Sequence, residues 1–188
     1  MRVIAGKYRS RRLQSLPGLD LRPTADRLRE TLFNVLTAGN PNVLQGTAWI
    51  DLFAGTGAVG IEALSRGAGM VYFVERSARA TELIKTNLDA LKIAANFKVL
   101  AKNAVGALRE LESSGVKADF VFLDPPYRME EVYRQTLDLL SHSKLLHPES
   151  TVIAEHHKKF DPGDAFAALR RYRKLGQGDA ALSFYRSF

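Results

Sequence analysis

The 188-residue sequence has no cysteine, which excludes disulfides and thiolate metal centres and is compatible with a reducing compartment. Histidine is scarce. His156 and His157 are adjacent rather than three or four residues apart, so packing or solvated roles are expected and no metal site is. No stretch reaches the ~18 apolar residues of a membrane span. The opening Met1-Arg2-Val3-Ile4-Ala5-Gly6-Lys7 lacks the ~7 to 15 apolar residues of a secretory signal. A soluble, cytoplasmic chain with no membrane partner is expected. Internal repeats and low-complexity segments are also absent. At 46% hydrophobic residues this length supports one conventional core. A single domain over 1–188 is therefore expected, with a basic arm and helix over 1–40, a core over 45–188, and a monomer as the default.

Positive charge is what the chain has in excess. Its net charge is +7, and residues 1–30 hold Arg2, Lys7, Arg9, Arg11, Arg12, Arg22, Arg27 and Arg29 against only Asp20, Asp26 and Glu30. One reading is a solvated, partly flexible arm. The other is a phosphate-binding surface, because clustered Lys and Arg displace counterions from a polyanion.

Beyond the arm, Thr24 can cap a helix whose apolar face is Leu28, Leu32, Val35 and Leu36, ending near Thr37 before Gly39, Asn40 and Pro41. From Ala48 onward short apolar runs alternate with helix-length amphipathic segments. Strands are expected at Ala48 to Phe53, Met70 to Glu75, Phe97 to Leu100, Ala118 to Asp124 and Ser150 to Glu155. Helices are expected at Val59 to Arg66, Ala78 to Lys92, Ala104 to Ser113 and Glu130 to Leu140. Such alternation predicts an α/β fold, a mostly parallel sheet with helices on both faces. Arg170 to Lys174 and Ala181 to Tyr185, flanking Gly176-Gln177-Gly178-Asp179, predict a C-terminal antiparallel hairpin and seven strands in all.

In such sheets ligands bind beyond the carboxyl ends of the strands, and three motifs stand there. Asp51-Leu52-Phe53-Ala54-Gly55-Thr56-Gly57-Ala58-Val59-Gly60 joins a strand to a helix, with glycines at 55 and 57 permitting a tight turn and close approach to a ligand. That pattern alone also matches a dinucleotide fingerprint. Glu75, 20 residues after Gly55, ends the next strand, where a carboxylate can accept from vicinal ribose hydroxyls.

Asp124-Pro125-Pro126-Tyr127 follows the fourth strand. Two prolines fix φ, so the Asp124 carboxylate and the Pro125 carbonyl can converge on one point. Two acceptors there suit a planar amine with two N–H donors, whose lone pair is a poor nucleophile until pyramidalisation aims it. Asp124 can also take the proton, and Tyr127 can stack on a base.

Together these motifs resemble class I methyltransferases of the amino type. The flanking Arg2-Val3-Ile4-Ala5-Gly6-Lys7-Tyr8-Arg9, Leu21-Arg22-Pro23-Thr24 with Asp26-Arg27-Leu28-Arg29-Glu30, and Ala181-Leu182-Ser183-Phe184-Tyr185 are similar to the RsmD-type 16S ribosomal RNA guanine-N2 methyltransferases of bacteria. The resemblance implies the Rossmann-like class I fold and S-adenosylmethionine as cofactor. It implies that Asp51, Phe53 and the amides from Ala54 through Gly55 and Thr56 to Gly57 hold the methionine part. Glu75 and Arg76 would hold the ribose side, and Asn103 with Ala104 the adenine edge, although many methyltransferases carry aspartate where Asn103 stands. Asp124, Pro125, Pro126 and Tyr127 would be catalytic, with Asp124 also among the cofactor-binding residues. Arg2, Lys7, Arg9, Arg11, Arg12, Arg22, Thr24 and Arg27 would contact 16S rRNA, within a small subunit or assembly intermediate, the Arg22-Pro23-Thr24 segment also folding over the cofactor. The target base must be unpaired or flipped out. Rival readings are an amino methyltransferase acting on another RNA, DNA adenine or protein glutamine, a nicotinamide dehydrogenase, and a non-catalytic RNA-binding assembly module.

Overall fold

The first fifteen residues, read above as a basic arm, form a small hairpin anchored in the core. In the computed structural model, which describes residues 1–15 and 23–187 with side chains in the first helix from Asp26 onward, Arg2 bridges Arg12 antiparallel. Val3 and Leu13 are 1% and 6% exposed and belong to the core cluster. The expectation of a flexible arm is thus corrected for these residues: two apolar side chains anchor a strongly basic segment. Arg22 lies outside the described residues, as does the side chain of Thr24. Helix α1 (Pro23–Thr37) starts one residue ahead of the predicted cap Thr24, a position where proline suits the first helical turn.

Next come β1 (Ala48–Leu52), α2 (Ala58–Ser65), β2 (Met70–Val74), α3 (Ala78–Ala90), β3 (Phe97–Leu100), α4 (Ala104–Ser113), β4 (Phe120–Leu123), α5 (Glu130–Ser141) and β5 (Thr151–His157). The chain closes with β6 (Ala165–Phe166), β7 (Leu169–Gln177) and β8 (Ala180–Ser187). One sheet of eight strands results, in the order β3-β2-β1-β4-β5-β8-β7-β6, parallel from β3 to β5 and antiparallel thereafter. The expected count of seven is corrected to eight. The extra strand, β6, has two residues, too few to carry any alternation. The turn between β7 and β8 is also shorter than expected: pairing runs through Gln177 and Ala180, leaving Gly178 (φ 62°) and Asp179.

Alternation along the strands divides the core in two. Trp49, Val71, Phe73, Phe120, Phe122 and Ile153 pack on the face covered by α1, α2 and α3. Ile50, Leu52, Val74, Val121, Leu123 and Val152 pack on the opposite face with α4 and α5. The chain winds outward in both directions from β1, which lies between β2 and β4, and this reversal of strand order opens a crevice beyond the β1 and β4 carboxyl ends. None of the helices among the described residues is long and apolar enough to cross a membrane.

Candidate active site

The crevice contains two adjoining cavities, of about 900 and 590 Å³, which share Leu28, Phe53, Gly55, Asp124 and Glu155 in their walls. Their junction follows from strand register. Asp51 pairs with Phe122 and Leu123 with Ala154, so Asp124 and Glu155 stand level at the ends of neighbouring strands, with Asp51 one step below on β1. Every second residue faces the same way, and all three acids belong to the α1–α3 side.

The glycine loop begins with Phe53 at φ 63°, a left-handed conformation that a bulky residue adopts only when its surroundings enforce it. Gly55 (φ 55°) and Gly57 (φ 77°) continue the turn. Three of the four loop amides have partners inside the protein: Ala54 donates to the Val74 carbonyl at 3.0 Å, Gly55 to Glu75 Oε2 at 3.0 Å, and Gly57 to the Ala54 carbonyl at 2.7 Å. The amides of Ala54, Gly55 and Gly57, expected to hold a ligand, are thus already paired within the protein. Their contribution is shape and close approach. Gly57 lines neither cavity and stands at the α2 N-terminus, whereas Ala54 and Thr56 line the smaller one beside Asp51. At Gly60 a Cβ would lie 2.3 Å from the buried Phe73 ring, so helix α2 can sit this close to the sheet only with glycine there. That closeness lets the Gly60 amide donate to Asp51 Oδ2 at 2.9 Å.

Glu75 lines the larger cavity with its carboxylate pinned: Oε2 accepts from Gly55 and Oε1 from the Ser77 amide at 2.8 Å. A carboxylate oxygen has two lone pairs, so each retains one for a hydroxyl donor. Arg76, Asn103 and Ala104 line the same cavity. Asn103 caps α4, its Oδ1 accepting from the Gly106 amide at 2.8 Å, so its side-chain NH2 and the second lone pair of Oδ1 remain to meet a ligand.

On the far side of the larger cavity stand Pro125, Pro126 and Tyr127. Tyr127 donates its hydroxyl to Glu155 Oε1 at 3.4 Å and turns a ring edge to His157. Two residues here went unnoticed in the sequence. Tyr133, fully buried on α5, donates its hydroxyl to the Pro125 carbonyl at 3.0 Å, occupying one lone pair and leaving the other. Glu155, inside the apolar strand β5, reaches the site only because β5 lies beside β4. His156, by contrast, is a packing residue, buried between Tyr133 and Phe160 with Nε2 2.9 Å from Ser183 Oγ.

Electrostatically the junction is crowded with acid. Burial pushes the Asp51 carboxyl up to about 7 against the pull of the Gly60 amide, with Glu75 adding a smaller push. Burial also holds Asp124 well above the usual carboxylate range, helped by Glu155 and Asp51. Glu155 is raised by its own burial, opposed by the Tyr127 hydroxyl and then by Arg29. Between about pH 4 and pH 7 the folded chain keeps a proton on Asp51 that the unfolded chain has released, so stability falls as pH rises through that window and stays reduced above it. The cost for Asp51 is on the order of 4 kcal/mol. The Asp51→Asn variant, which retains an acceptor for Gly60, should therefore gain stability over the parent by about 2–3 kcal/mol more at pH 8 than at pH 5. Urea unfolding at the two pH values measures this, and a margin independent of pH contradicts it.

The basic side chains lie elsewhere. Arg2, Lys7, Arg9, Arg11, Arg12 and Arg27 are exposed and line neither cavity, although Met1 and Ser15 of the same hairpin line the smaller one. The hairpin is held by α2: the Ile4 and Ala5 amides donate to the buried Glu62 carboxylate at 2.7 and 2.9 Å, and the Lys7 amide to the Ser65 carbonyl at 2.7 Å. Arg29 differs from its neighbours. It is 5% exposed, donates to the Arg2 carbonyl at 2.6 Å and to Asp26 at 3.1 Å, and joins the wall of the smaller cavity.

Comparison with known proteins identifies the family. The family model described as conserved hypothetical protein 95 matches residues 1–186. The ribosomal RNA small subunit methyltransferase D of Escherichia coli K12 is 37% identical over 186 residues, covering 99% of this chain and 89% of that protein. A hypothetical protein of Thermus thermophilus superposes with a TM-score of 0.81 at 27% identity, covering 98% of each chain. The T. thermophilus 16S rRNA N2 G1207 methyltransferase, solved with AdoMet and guanosine, shares the fold at a TM-score of 0.72 and 19% identity, over 92% of this chain and 45% of that one. On the full-length match and this identity, the chain belongs to the conserved hypothetical protein 95 family, the RsmD family of methyltransferases.

Proposed function

We propose that this chain transfers a methyl group from S-adenosylmethionine to the exocyclic N2 amine of one guanine in small-subunit ribosomal RNA. The observation that carries the reading is that Asp124 lines both cavities where they meet, with Pro125 beside it in the wall of the larger one. The named relative in E. coli acts on the same class of RNA.

The residues present fit the cofactor. The smaller cavity, with Asp51, Thr56 and Arg29, would receive the amino-acid end, Arg29 offering the carboxylate a buried cation and Asp51 offering the ammonium an anion. In the larger cavity Glu75 would accept from ribose hydroxyls, and the Asn103 side-chain amide would meet the adenine edge. When bound, S-adenosylmethionine supplies an electrophilic methyl on a sulfonium. Asp124 and the second lone pair of the Pro125 carbonyl would accept the two amine hydrogens, holding the nitrogen so that its lone pair points at the junction. Tyr133 holds that carbonyl in place. Asp124 would meet the positive charge that grows on the amine nitrogen during transfer, take one proton from it and pass that proton to solvent. Tyr127 and Pro126 offer an aromatic and an apolar surface to the flipped base.

Tritiated methyl transfer, offered in parallel to small ribosomal subunits, naked DNA and a protein lysate, tests the substrate class. Nucleoside mass spectrometry of the product then tests the position. N2-methylguanosine in subunits is expected, and label confined to DNA or protein would overturn the reading.

The exposed hairpin arginines serve as the phosphate-binding face. Replacing Arg9, Arg11 and Arg12 by Gln should weaken 16S rRNA binding and lower the slope of log affinity against log salt by about 2 to 3, since each lost phosphate contact removes roughly 0.7 to 0.9. Filter binding over a salt series measures the slope. An unchanged slope would place the RNA elsewhere.

A further inference from the structure

We propose that Glu155 reads the Watson–Crick edge of the target base, accepting the N1–H that guanine carries and that adenine lacks. This rests on the reaction proposed above and assigns its base specificity to one residue.

Guanine presents two kinds of donor side by side, the N2 amine and the N1–H, whereas adenine and 2-aminopurine present an acceptor at N1. The protein presents two carboxylates side by side. Asp124 and Glu155 stand level on adjacent parallel strands, with Leu123 paired to Ala154, and strands in such a pair run about 4.8 Å apart. Both line both cavities. An amine held by Asp124 and Pro125 therefore brings its ring neighbour toward Glu155 and not toward the glycine loop, which lies on the opposite side of Asp124 in the sheet.

Glu155 is also only partly satisfied by the protein. Oε1 takes the Tyr127 hydroxyl at a long 3.4 Å, and Oε2 has no hydrogen bond among the described residues. Half-buried, facing both cavities and given one weak donor, this carboxylate keeps acceptor capacity for a ligand. Guanine N1–H would fill it by a charge-assisted bond, and Arg29 favours the ionised form that accepts it. The same carboxylate would face the N1 lone pair of adenine, acceptor against acceptor. Tyr127 both flanks the base and fixes the carboxylate, which explains why this tyrosine carries a hydroxyl directed at Glu155.

The test uses the intact protein, S-adenosylmethionine and small subunits from cells lacking the enzyme, with free nucleosides as competitive inhibitors. Guanosine is expected to inhibit at least tenfold more strongly than 2-aminopurine riboside or N1-methylguanosine, both of which keep the N2 amine and lose the N1–H. Glu155→Gln, whose amide can turn to donate to N1, should bring guanosine and 2-aminopurine riboside within about threefold while S-adenosylmethionine binds within threefold of the parent, a pattern that a purely structural role would not produce. Equal potency of the nucleosides against the parent enzyme, including no inhibition by any, overturns the inference. So does a tenfold gap that survives in Glu155→Gln. Should that variant fail to fold, the N1-methylguanosine comparison on the parent enzyme decides alone. A product other than N2-methylguanosine would instead show that the underlying reaction was wrong, whatever the ratios.

Discussion

Replacing Asp124 by Ala is expected to lower methyl transfer by about 10³-fold or more while leaving S-adenosylmethionine affinity within a few fold. The asymmetry follows from position. Asp124 is the side-chain acceptor aimed at the junction, and what remains after its removal is one carbonyl lone pair, which can hold one amine hydrogen but neither fixes the nitrogen nor removes its proton. The other contacts proposed for the cofactor, from Glu75, Asn103 and the smaller cavity, would be untouched. The same change should make the fold more robust, because burial, and after it Glu155 and Asp51, raise the cost of ionising Asp124. A variant without activity, yet melting higher than the parent above pH 7, is the combined expectation. Tritium incorporation, calorimetric titration with S-adenosylmethionine and thermal melts read the three quantities. Near-normal turnover would refute the assignment of Asp124.

The second large effect is structural. Glu62→Ala should cost about 3–5 kcal/mol, a fall in melting temperature of roughly 10 °C, and should release the N-terminal hairpin. Glu62 is fully buried on α2, and its two oxygens take the Ile4 and Ala5 amides and the Arg66 side chain at 2.8 Å, with Arg29 Nε 3.9 Å away. Alanine would strand two backbone donors, free the Arg66 side chain and leave the buried Arg29 charge with Asp26 alone as its anion. Limited proteolysis should then cut within residues 1–15, where the parent resists. Denaturant unfolding measures the loss, and a cost below about 1 kcal/mol would mean that Val3 and Leu13 alone hold the hairpin.

Glu62 also shows where the sequence stops being readable. On α2 it is one acid in an apolar helix, and nothing nearby says that residues 57 and 58 positions earlier will lie against it. The parallel strands were legible because apolar runs bounded by amphipathic helices have few other solutions. The three ligand-facing motifs were legible because their chemistry is local: glycines beside a strand end, an acid after the next strand, a diproline corner. Glu155 and Tyr133 were not. Each reaches the site through the order of strands or through a helix crossing, and α5 presents Tyr133 on its apolar face like any core residue. Arg29 counted as one more surface charge because nothing in the segment marks it as the arginine that turns inward. The flexible reading of the arm failed because two apolar residues ten positions apart carry little pattern.

The place of β8 in the sheet has a consequence for how the molecule is made. It lies between β5 and β7, both of which leave the ribosome before it, so for a time two finished strands present open hydrogen-bonding edges on either side of a missing slat. Until the last strand slides in, each edge is a template for the wrong partner, and crowding of nascent chains should aggravate misassembly more than heat does.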